Sequence, residues 1–201
     1  MDILRLTGYL LSKAFWFLRY EEIGNIPPND SAPFLVVANH QTYIDPVWIC
    51  LPMRRRIRYM AIEKAFGWPM IGKLIRFIGA FPVSAGRAGN LAAFRTSVKA
   101  LKEGSVVMIF PEGVRSDAEG KAAEFQHGFI NIAISAKVPI LPVTILGGER
   151  IWPRGQKYPR LFRRVVIKYH PLVNIPHDRS GDSRDDVDDW AAKIAATVLR
   201  N

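Results

Sequence analysis

Six short apolar runs, spread from residue 34 to residue 169, constrain the fold of this chain more than any other feature. Each run is rich in β-branched or aromatic residues, and helical patterns at 46–53, 68–77, 89–102 and 125–136 lie between several of them. Strands that alternate with helices are typical of an α/β fold, because the helices serve as crossovers between parallel strands. We therefore predict a single α/β domain with a largely parallel central sheet flanked by helices, its strands at 34–39, 57–62, 77–83, 105–110, 139–146 and 164–169.

The N-terminal segment, residues 1–26, differs from the domain that we assign to residues 27–201. At about 100° per residue, its apolar side chains share one broad arc: Ile3, Leu6, Leu10, Leu11, Phe15, Phe17 and Leu18. This stretch is shorter than the roughly 20 residues of a spanning helix, and Lys13 interrupts it. We expect an amphipathic helix lying in a membrane interface. The alternative is a helix that packs a wide apolar face on the core.

The C-terminal end is expected to form one more helix, from about residue 182 to residue 199. Acidic residues at its start and apolar residues along one side favour this interpretation. The preceding segment, HDRSGDS at 177–183, is the part of the chain that we expect to be a flexible loop.

The chain is strongly basic, with 28 Lys and Arg against 18 Asp and Glu and a formal net charge of +10. Such a surface attracts anions, which include nucleic acid, anionic lipid and phosphorylated substrates. The basic residues are not interleaved with aromatic ones as in nucleic-acid-binding modules, so we expect no nucleic-acid partner. The one cysteine, Cys50, excludes an internal disulfide, suits a reducing compartment and lies in an apolar context that predicts burial.

Several common kinds of site are disfavoured by motif. Residues 67–73 match G-x-x-x-x-G-K, but Leu74 follows where a phosphate-binding loop needs a hydroxyl for Mg²⁺. We interpret this apolar stretch instead as a second element that faces a membrane or an acyl chain. No G-x-S-x-G motif is present, and the histidines lack metal-ligand spacing, so we predict no metal site.

A histidine and a carboxylate lie five positions apart in VANHQTYIDP, residues 37–46, just after a predicted strand. In one interpretation Asp45 caps a helix whose first residue is Pro46, and His40 merely ends the strand. In the other, Asp45 accepts a hydrogen bond from the imidazole of His40 and fixes its tautomer for catalysis. The two are compatible, because one carboxylate oxygen can cap the helix while the other accepts from the imidazole.

A second polar segment, FPEGVRS at 110–116, also follows an apolar strand. Ligands of parallel α/β sheets gather at the carboxyl ends of the strands, so we expect this segment to lie near His40. Arg115 offers a guanidinium suited to phosphate, and Gly113 permits close approach of the backbone. The alternative is an ordinary turn with a surface arginine.

The segments NHQTYID, GAFPV, FPEGVRS and VPILPV, in this order and at these separations, resemble the blocks of the glycerolipid acyltransferase family. That family is typified by 1-acyl-sn-glycerol-3-phosphate acyltransferase, and the resemblance covers about residues 34–146. It implies an α/β fold with a basic face apposed to the membrane. It also implies that His40 is the general base for the acceptor hydroxyl and that Asp45 orients it.

The resemblance further implies a substrate site formed by Glu112, Gly113, Arg115 and Ser116, with Arg115 near the acceptor phosphate. One departure concerns the second block, in which the family usually carries an arginine just after the strand. Here Ser84 follows the strand, and the first arginine is Arg87, which we assign to the substrate site by this offset. The departure bears on the phosphate-bearing acceptor more than on acyl transfer itself.

The resemblance implies that residues 27–201 are the acyltransferase domain of a membrane-associated enzyme of phospholipid biosynthesis. The reaction moves a fatty acyl group from acyl-CoA or acyl-carrier protein to the 2-hydroxyl of 1-acyl-glycerol-3-phosphate and makes phosphatidic acid. The implied partners are a lysophospholipid acceptor, an acyl thioester donor and an anionic membrane surface, at the cytoplasmic face of the membrane. No cofactor is implied beyond the thioester co-substrate. The alternatives are another acceptor, such as a lyso-ornithine lipid, and a non-catalytic basic protein that binds membranes peripherally.

Overall fold

Seven strands form one central sheet in the computed structural model of the chain, which describes residues 2–84, 86–117, 119–176 and 184–199. In chain order the strands are β1 (Arg19–Glu21), β2 (Leu35–Ala38), β3 (Ile57–Ile62), β4 (Ala80–Val83), β5 (Val106–Ile109), β6 (Ile140–Leu146) and β7 (Val166–Tyr169). They lie side by side in the order β1-β7-β6-β2-β5-β3-β4. β2 to β6 are parallel, whereas β7 is antiparallel to β6 and β1 pairs in parallel with β7. The predicted, largely parallel sheet is confirmed.

Helices cover both faces of the sheet. In the described part of the chain they are α1 (Asp2–Trp16), α2 (Asp45–Cys50), α3 (Ile71–Phe77), α4 (Arg87–Lys102), α5 (Gly128–Ala136) and α6 (Arg184–Leu199). Side chains of α1 and α2 pack with one face of the sheet, and those of α4, α5 and α6 pack with the other. Alternate residues of β2 enter the two cores, so Val36 faces one and Val37 the other. A strand buried on both faces accounts for the continuous apolar run in its sequence.

The edge strand β1 is one feature that the hydrophobic pattern did not predict. Its three residues, RYE, are too few and too polar to give a strand signal. The pairing is supplied by β7, with Arg19 opposite Val166. At the other end of the chain the predicted helix is present as α6, and the loop predicted at 177–183 lies outside the described residues.

Helix α1 turns its more polar side toward the domain and leaves its leucine-rich side open. Ser12 is buried, and its Oγ accepts a 3.1 Å hydrogen bond from Nε1 of Trp48 on α2. The ring of Trp16 packs edge-on against Trp48 at 5.7 Å between centroids. By contrast, Ile3 is 82% exposed and Leu6 58%. The structure therefore contradicts the alternative in which the apolar face packs on the core.

The described part of the chain contains no helix that is both long and apolar enough to cross a bilayer.

Candidate active site

His40 and Asp45 are in direct contact at the carboxyl edge of the parallel strands. Nδ1 of His40 lies 2.9 Å from Oδ2 of Asp45. The carboxylate is fully buried, whereas the imidazole is 19% exposed and stacks on the ring of Phe110 at 4.2 Å between centroids. Because Nδ1 faces a carboxylate, the favoured tautomer carries its proton there. Nε2 is then left with a free lone pair that can accept a proton.

The carboxylate of Asp45 organises the loop that carries the histidine. Besides the imidazole, Oδ2 accepts the main-chain amides of Gln41 at 2.6 Å and Thr42 at 2.7 Å. Oδ1 accepts the hydroxyl of Thr42 at 2.6 Å. The expectation that Asp45 caps α2 is wrong, because Ile44 occupies the N-cap position and no side chain caps that helix. All the partners of the carboxylate precede it in the chain, so it holds the loop and the imidazole rather than the helix end.

The segment FPEGVRS approaches His40 through the main chain. Oε1 of Glu112 accepts the amide of His40 at 2.8 Å, and its Oε2 accepts the amide of Ala123 at 3.3 Å. The amide of Ser116 donates to the carbonyl of His40 at 2.8 Å. Burial raises the pKa of Glu112 to about 7, against the opposing effect of the two amide hydrogen bonds. The main chain of His40 is thus held on both its donor and its acceptor side.

Arg115 is anchored by the loop that follows β6. Its Nη1 donates to the carbonyls of Trp152 at 3.1 Å and Pro153 at 3.2 Å. Its guanidinium carbon lies 3.6 Å from the centroid of the Tyr43 ring, a cation–π geometry. Tyr43 also packs edge-on against Trp152 and Trp68, with centroids 5.1 and 6.3 Å apart. Burial lowers the pKa of Arg115, but a guanidinium remains charged at neutral pH.

The structure describes the remaining predicted site residues, Gly113, Ser116 and Arg87, to different extents. Gly113 has a φ of +67°, a backbone conformation that favours glycine. Ser116 is only 2% exposed; its Oγ has no hydrogen-bond partner among the described residues and lines a polar cavity of about 190 Å³ together with Gln41 and Glu112. Arg87 begins α4, but its side chain lies outside the described part of the structure. The roles assigned to all these residues remain predictions.

The other nucleophilic and basic groups named from the sequence lie outside this cluster. His127 contacts Asp188 on α6, and His170 contacts the hydroxyl of Thr144. Burial raises the pKa of the Cys50 thiol to about 12, as expected for an unreactive cysteine.

Sequence reasoning missed the aromatic cluster of Tyr43, Trp68 and Trp152 beside Arg115. These residues come from three separate segments, and only Tyr43 lies in one of the family blocks. The arginine-rich composition of residues 150–164 was the available signal, but it does not say that this loop folds back onto FPEGVRS.

Comparison with known proteins bears on the family and the fold of this chain. The family model named Acyltransferase matches residues 18–146, which is more than half of the chain. The chain belongs to the acyltransferase family. Among acyltransferases, it is similar to the chloroplast 1-acyl-sn-glycerol-3-phosphate acyltransferase of Arabidopsis thaliana, with 27% identity over 71% of this chain and 40% of that protein. A 1-acyl-sn-glycerol-3-phosphate acyltransferase of Chlamydomonas reinhardtii is 30% identical over 79% of this chain and 46% of that protein.

This chain therefore spans less than half the length of these two acyltransferases. A crystal structure of the 1-acyl-sn-glycerophosphate acyltransferase from Thermotoga maritima matches it with a TM-score of 0.73 and 27% identity. That match covers 96% of this chain and 75% of the Thermotoga chain. Together these findings confirm the predicted α/β fold and the resemblance to glycerolipid acyltransferases.

Proposed function

We propose that this chain transfers a fatty acyl group from acyl-CoA or acyl-carrier protein to the 2-hydroxyl of 1-acyl-glycerol-3-phosphate, forming phosphatidic acid. The observation that carries the proposal is the 2.9 Å contact between His40 and the buried Asp45, with Arg115 nearby. A base and a cation at one edge of a sheet suit an acceptor that carries both a hydroxyl and a phosphate. The names of the similar acyltransferases support the same acceptor.

The proposed reaction uses Nε2 of His40 as the general base. As the acceptor oxygen attacks the thioester carbonyl, Nε2 takes the hydroxyl proton, and the new C–O bond forms. The tetrahedral intermediate then collapses, the C–S bond breaks, and His40 returns the proton to the leaving thiolate. Asp45 stabilises the imidazolium between these steps. A positioned base of this kind contributes about 10²–10⁴ in rate.

Three main-chain amides of the loop that carries the base are unavailable to the tetrahedral oxyanion. The amide of His40 is bonded to Glu112, and those of Gln41 and Thr42 are bonded to Asp45. Groups already committed to carboxylates are not free to bind the developing negative charge. These amides act in catalysis through the geometry that they impose on the imidazole.

We further propose that the reaction takes place at the surface of a membrane, at its cytoplasmic face. Two apolar surfaces support this: the open leucine-rich side of α1 and the side of α3 that carries Leu74 and Phe77, of which Phe77 is 71% exposed. Met70, 84% exposed, precedes α3. Trp68 connects this second surface to Tyr43 and so to the candidate site. Apolar side chains rimmed by cations are typical of helices that lie in a membrane interface.

The acceptor is tested by the release of free thiol from acyl-CoA with a panel of lysolipids. We expect release with 1-acyl-glycerol-3-phosphate, with phosphatidic acid identified as the product by mass spectrometry. The second candidate acceptor is a lyso-ornithine lipid, which the altered second block favours. Thiol release with that lipid and none with 1-acyl-glycerol-3-phosphate would replace the first acceptor by the second. If the protein binds vesicles but releases thiol with none of the acceptors in the panel, the result would instead support the non-catalytic alternative.

A further inference from the structure

Arg154, which lies outside the family blocks, is tied directly to the segment that carries Arg115. The amide of Arg154 donates to the carbonyl of Ser116 at 3.2 Å. The two residues that precede it, Trp152 and Pro153, supply the carbonyls that hold the guanidinium of Arg115. The loop after β6 and the segment FPEGVRS are therefore fastened to each other at both arginines. The positive charge of Arg154 adds to burial in lowering the pKa of Arg115, which fits two guanidinium groups within electrostatic reach.

These two arginines have no carboxylate partner in the described part of the chain. Neither takes part in any of its salt bridges. The contacts of Arg115 are neutral carbonyls and the ring of Tyr43. The charge of Asp45 also attracts the guanidinium of Arg115, but the hydrogen bonds of its carboxylate go to the loop that carries His40. Two guanidinium groups within electrostatic reach repel each other, and an anion bound between them relieves that repulsion.

We propose that Arg154 and Arg115 together bind the phosphate of the acceptor, with Arg154 as the second arm of the site. This inference rests on the proposed function. A guanidinium presents a planar fork that matches phosphate oxygens, and charge-assisted hydrogen bonds of this kind are the stronger ones. In 1-acyl-glycerol-3-phosphate the phosphate is attached next to the carbon that carries the reacting hydroxyl. A phosphate held by this pair thus keeps that hydroxyl close to His40.

The departure in the second family block is consistent with the assignment of Arg154 to the phosphate site. No arginine directly follows Val83, the last residue of β4, where the family usually carries one. Arg154 is an exposed residue of the loop after β6, and β6 lies on the other side of β2 from β4 in the sheet. In this proposal the second arginine comes from the loop after β6 rather than from the loop after β4.

The test compares Arg154→Gln with Lys157→Gln, which removes the same charge from an exposed residue of the same loop. Binding of sn-glycerol 3-phosphate is followed by tryptophan fluorescence, to which Trp152 contributes from beside Arg115. We expect Arg154→Gln to weaken this binding by about tenfold or more, the loss of one charge-assisted contact, and Lys157→Gln to leave it unchanged. Arg154→Lys, which keeps the charge and loses the fork, should fall between Arg154→Gln and the wild type.

Kinetics separate this inference from the proposed function. The KM for 1-acyl-glycerol-3-phosphate should rise in Arg154→Gln by the same factor, with kcat within about twofold, because the residue binds but does not react. Three outcomes overturn the inference. Arg154→Gln could bind sn-glycerol 3-phosphate as well as the wild type does, the wild type could fail to bind it, or Lys157→Gln could weaken binding as much as Arg154→Gln. A wild type that binds sn-glycerol 3-phosphate through Arg154 but fails to acylate 1-acyl-glycerol-3-phosphate overturns the proposed acceptor and leaves the phosphate site standing.

Discussion

The main-chain amide of His40 donates a 2.8 Å hydrogen bond to Oε1 of Glu112, a residue 72 positions further along the chain. The second carboxylate oxygen accepts the amide of Ala123, and the residue is only 4% exposed. Both oxygens of Glu112 are therefore hydrogen-bonded to main-chain donors, although the residue also lines the polar cavity beside Ser116. We infer that Glu112 positions the loop of the base, whereas the family resemblance places it in the acceptor site.

Glu112 makes the stability of the fold depend on pH. Its pKa is raised from 4.5 to about 7, so the folded protein binds a proton that the unfolded chain has lost between these two values. The stabilisation by this proton is present below pH 4.5, declines as the pH rises to 7, and is absent above it. Its size is about 3 kcal/mol at most. The unfolding temperatures of the wild type and Glu112→Gln are measured between pH 4.5 and 8. We expect the stability of the wild type relative to the variant to decrease as the pH rises to 7 and to stay constant above pH 7.

A matched control for this prediction is Glu124→Gln, which changes an exposed carboxylate in the same segment. Its unfolding temperature should follow that of the wild type at every pH. A difference between the wild type and Glu112→Gln that is constant, or that grows with pH, contradicts the assigned burial of this carboxyl.

Asp45→Asn should slow acyl transfer without preventing folding. The new side-chain amide has one acceptor oxygen, whereas the donors around Asp45 share the two oxygens of a carboxylate. Its NH₂ group also favours the wrong tautomer of His40. We expect kcat to fall by about 10²–10⁴, by analogy with the equivalent change in serine hydrolases, while the KM for the acceptor changes little. Initial rates of thiol release at saturating acceptor measure this effect.

Asp188→Asn is the control for that change, because it disrupts another histidine–aspartate contact, that with His127 on the opposite face of the sheet. Its kcat should equal that of the wild type. Equal losses in the two variants would mean that the contact with His40 has no special role.

The open side of α1 is expected to bind membranes. Leu6→Ser combined with Leu10→Ser should reduce binding to anionic phospholipid vesicles by tenfold or more, since burying one leucine side chain is worth about 1.5–3 kcal/mol. The unfolding temperature should not change, because both side chains are exposed in the folded protein. Co-sedimentation with vesicles measures the binding. Leu172→Ser changes an exposed leucine next to Val173, which bridges to the first residue of β6, so this variant should bind as the wild type does. A similar loss in this control would contradict the assignment.

The order of strands and helices was predictable because each buried strand carries its own local signal. The run at 34–38 is apolar throughout, and β2 is fully buried between two helical layers. The meeting of His40 with FPEGVRS was also predictable, since parallel strands bring their carboxyl ends to one edge. Strand β1 was not, because its pairing comes from β7 and its own three residues carry no apolar pattern.

The details of the candidate site depend on contacts that no local pattern encodes. A capping signal at Asp45-Pro46 predicted a carboxylate that faces forward into α2. Instead, two amides of the preceding loop donate to Oδ2, and the hydroxyl of Thr42 donates to Oδ1. The partners of Arg115 come from the irregular loop after β6, whose path is set by its contacts with α1. Such long-range contacts have to be seen in three dimensions.

The central claim, that His40 removes the proton from the acceptor hydroxyl, is tested most directly by thiol release from acyl-CoA with purified His40→Ala. The imidazole is not part of the apolar side of α1, so the variant should bind vesicles as the wild type does. With 1-acyl-glycerol-3-phosphate as acceptor, its rate of thiol release should be lower than that of the wild type by about 10²–10⁴. A folded His40→Ala protein that releases thiol at the rate of the wild type contradicts the claim.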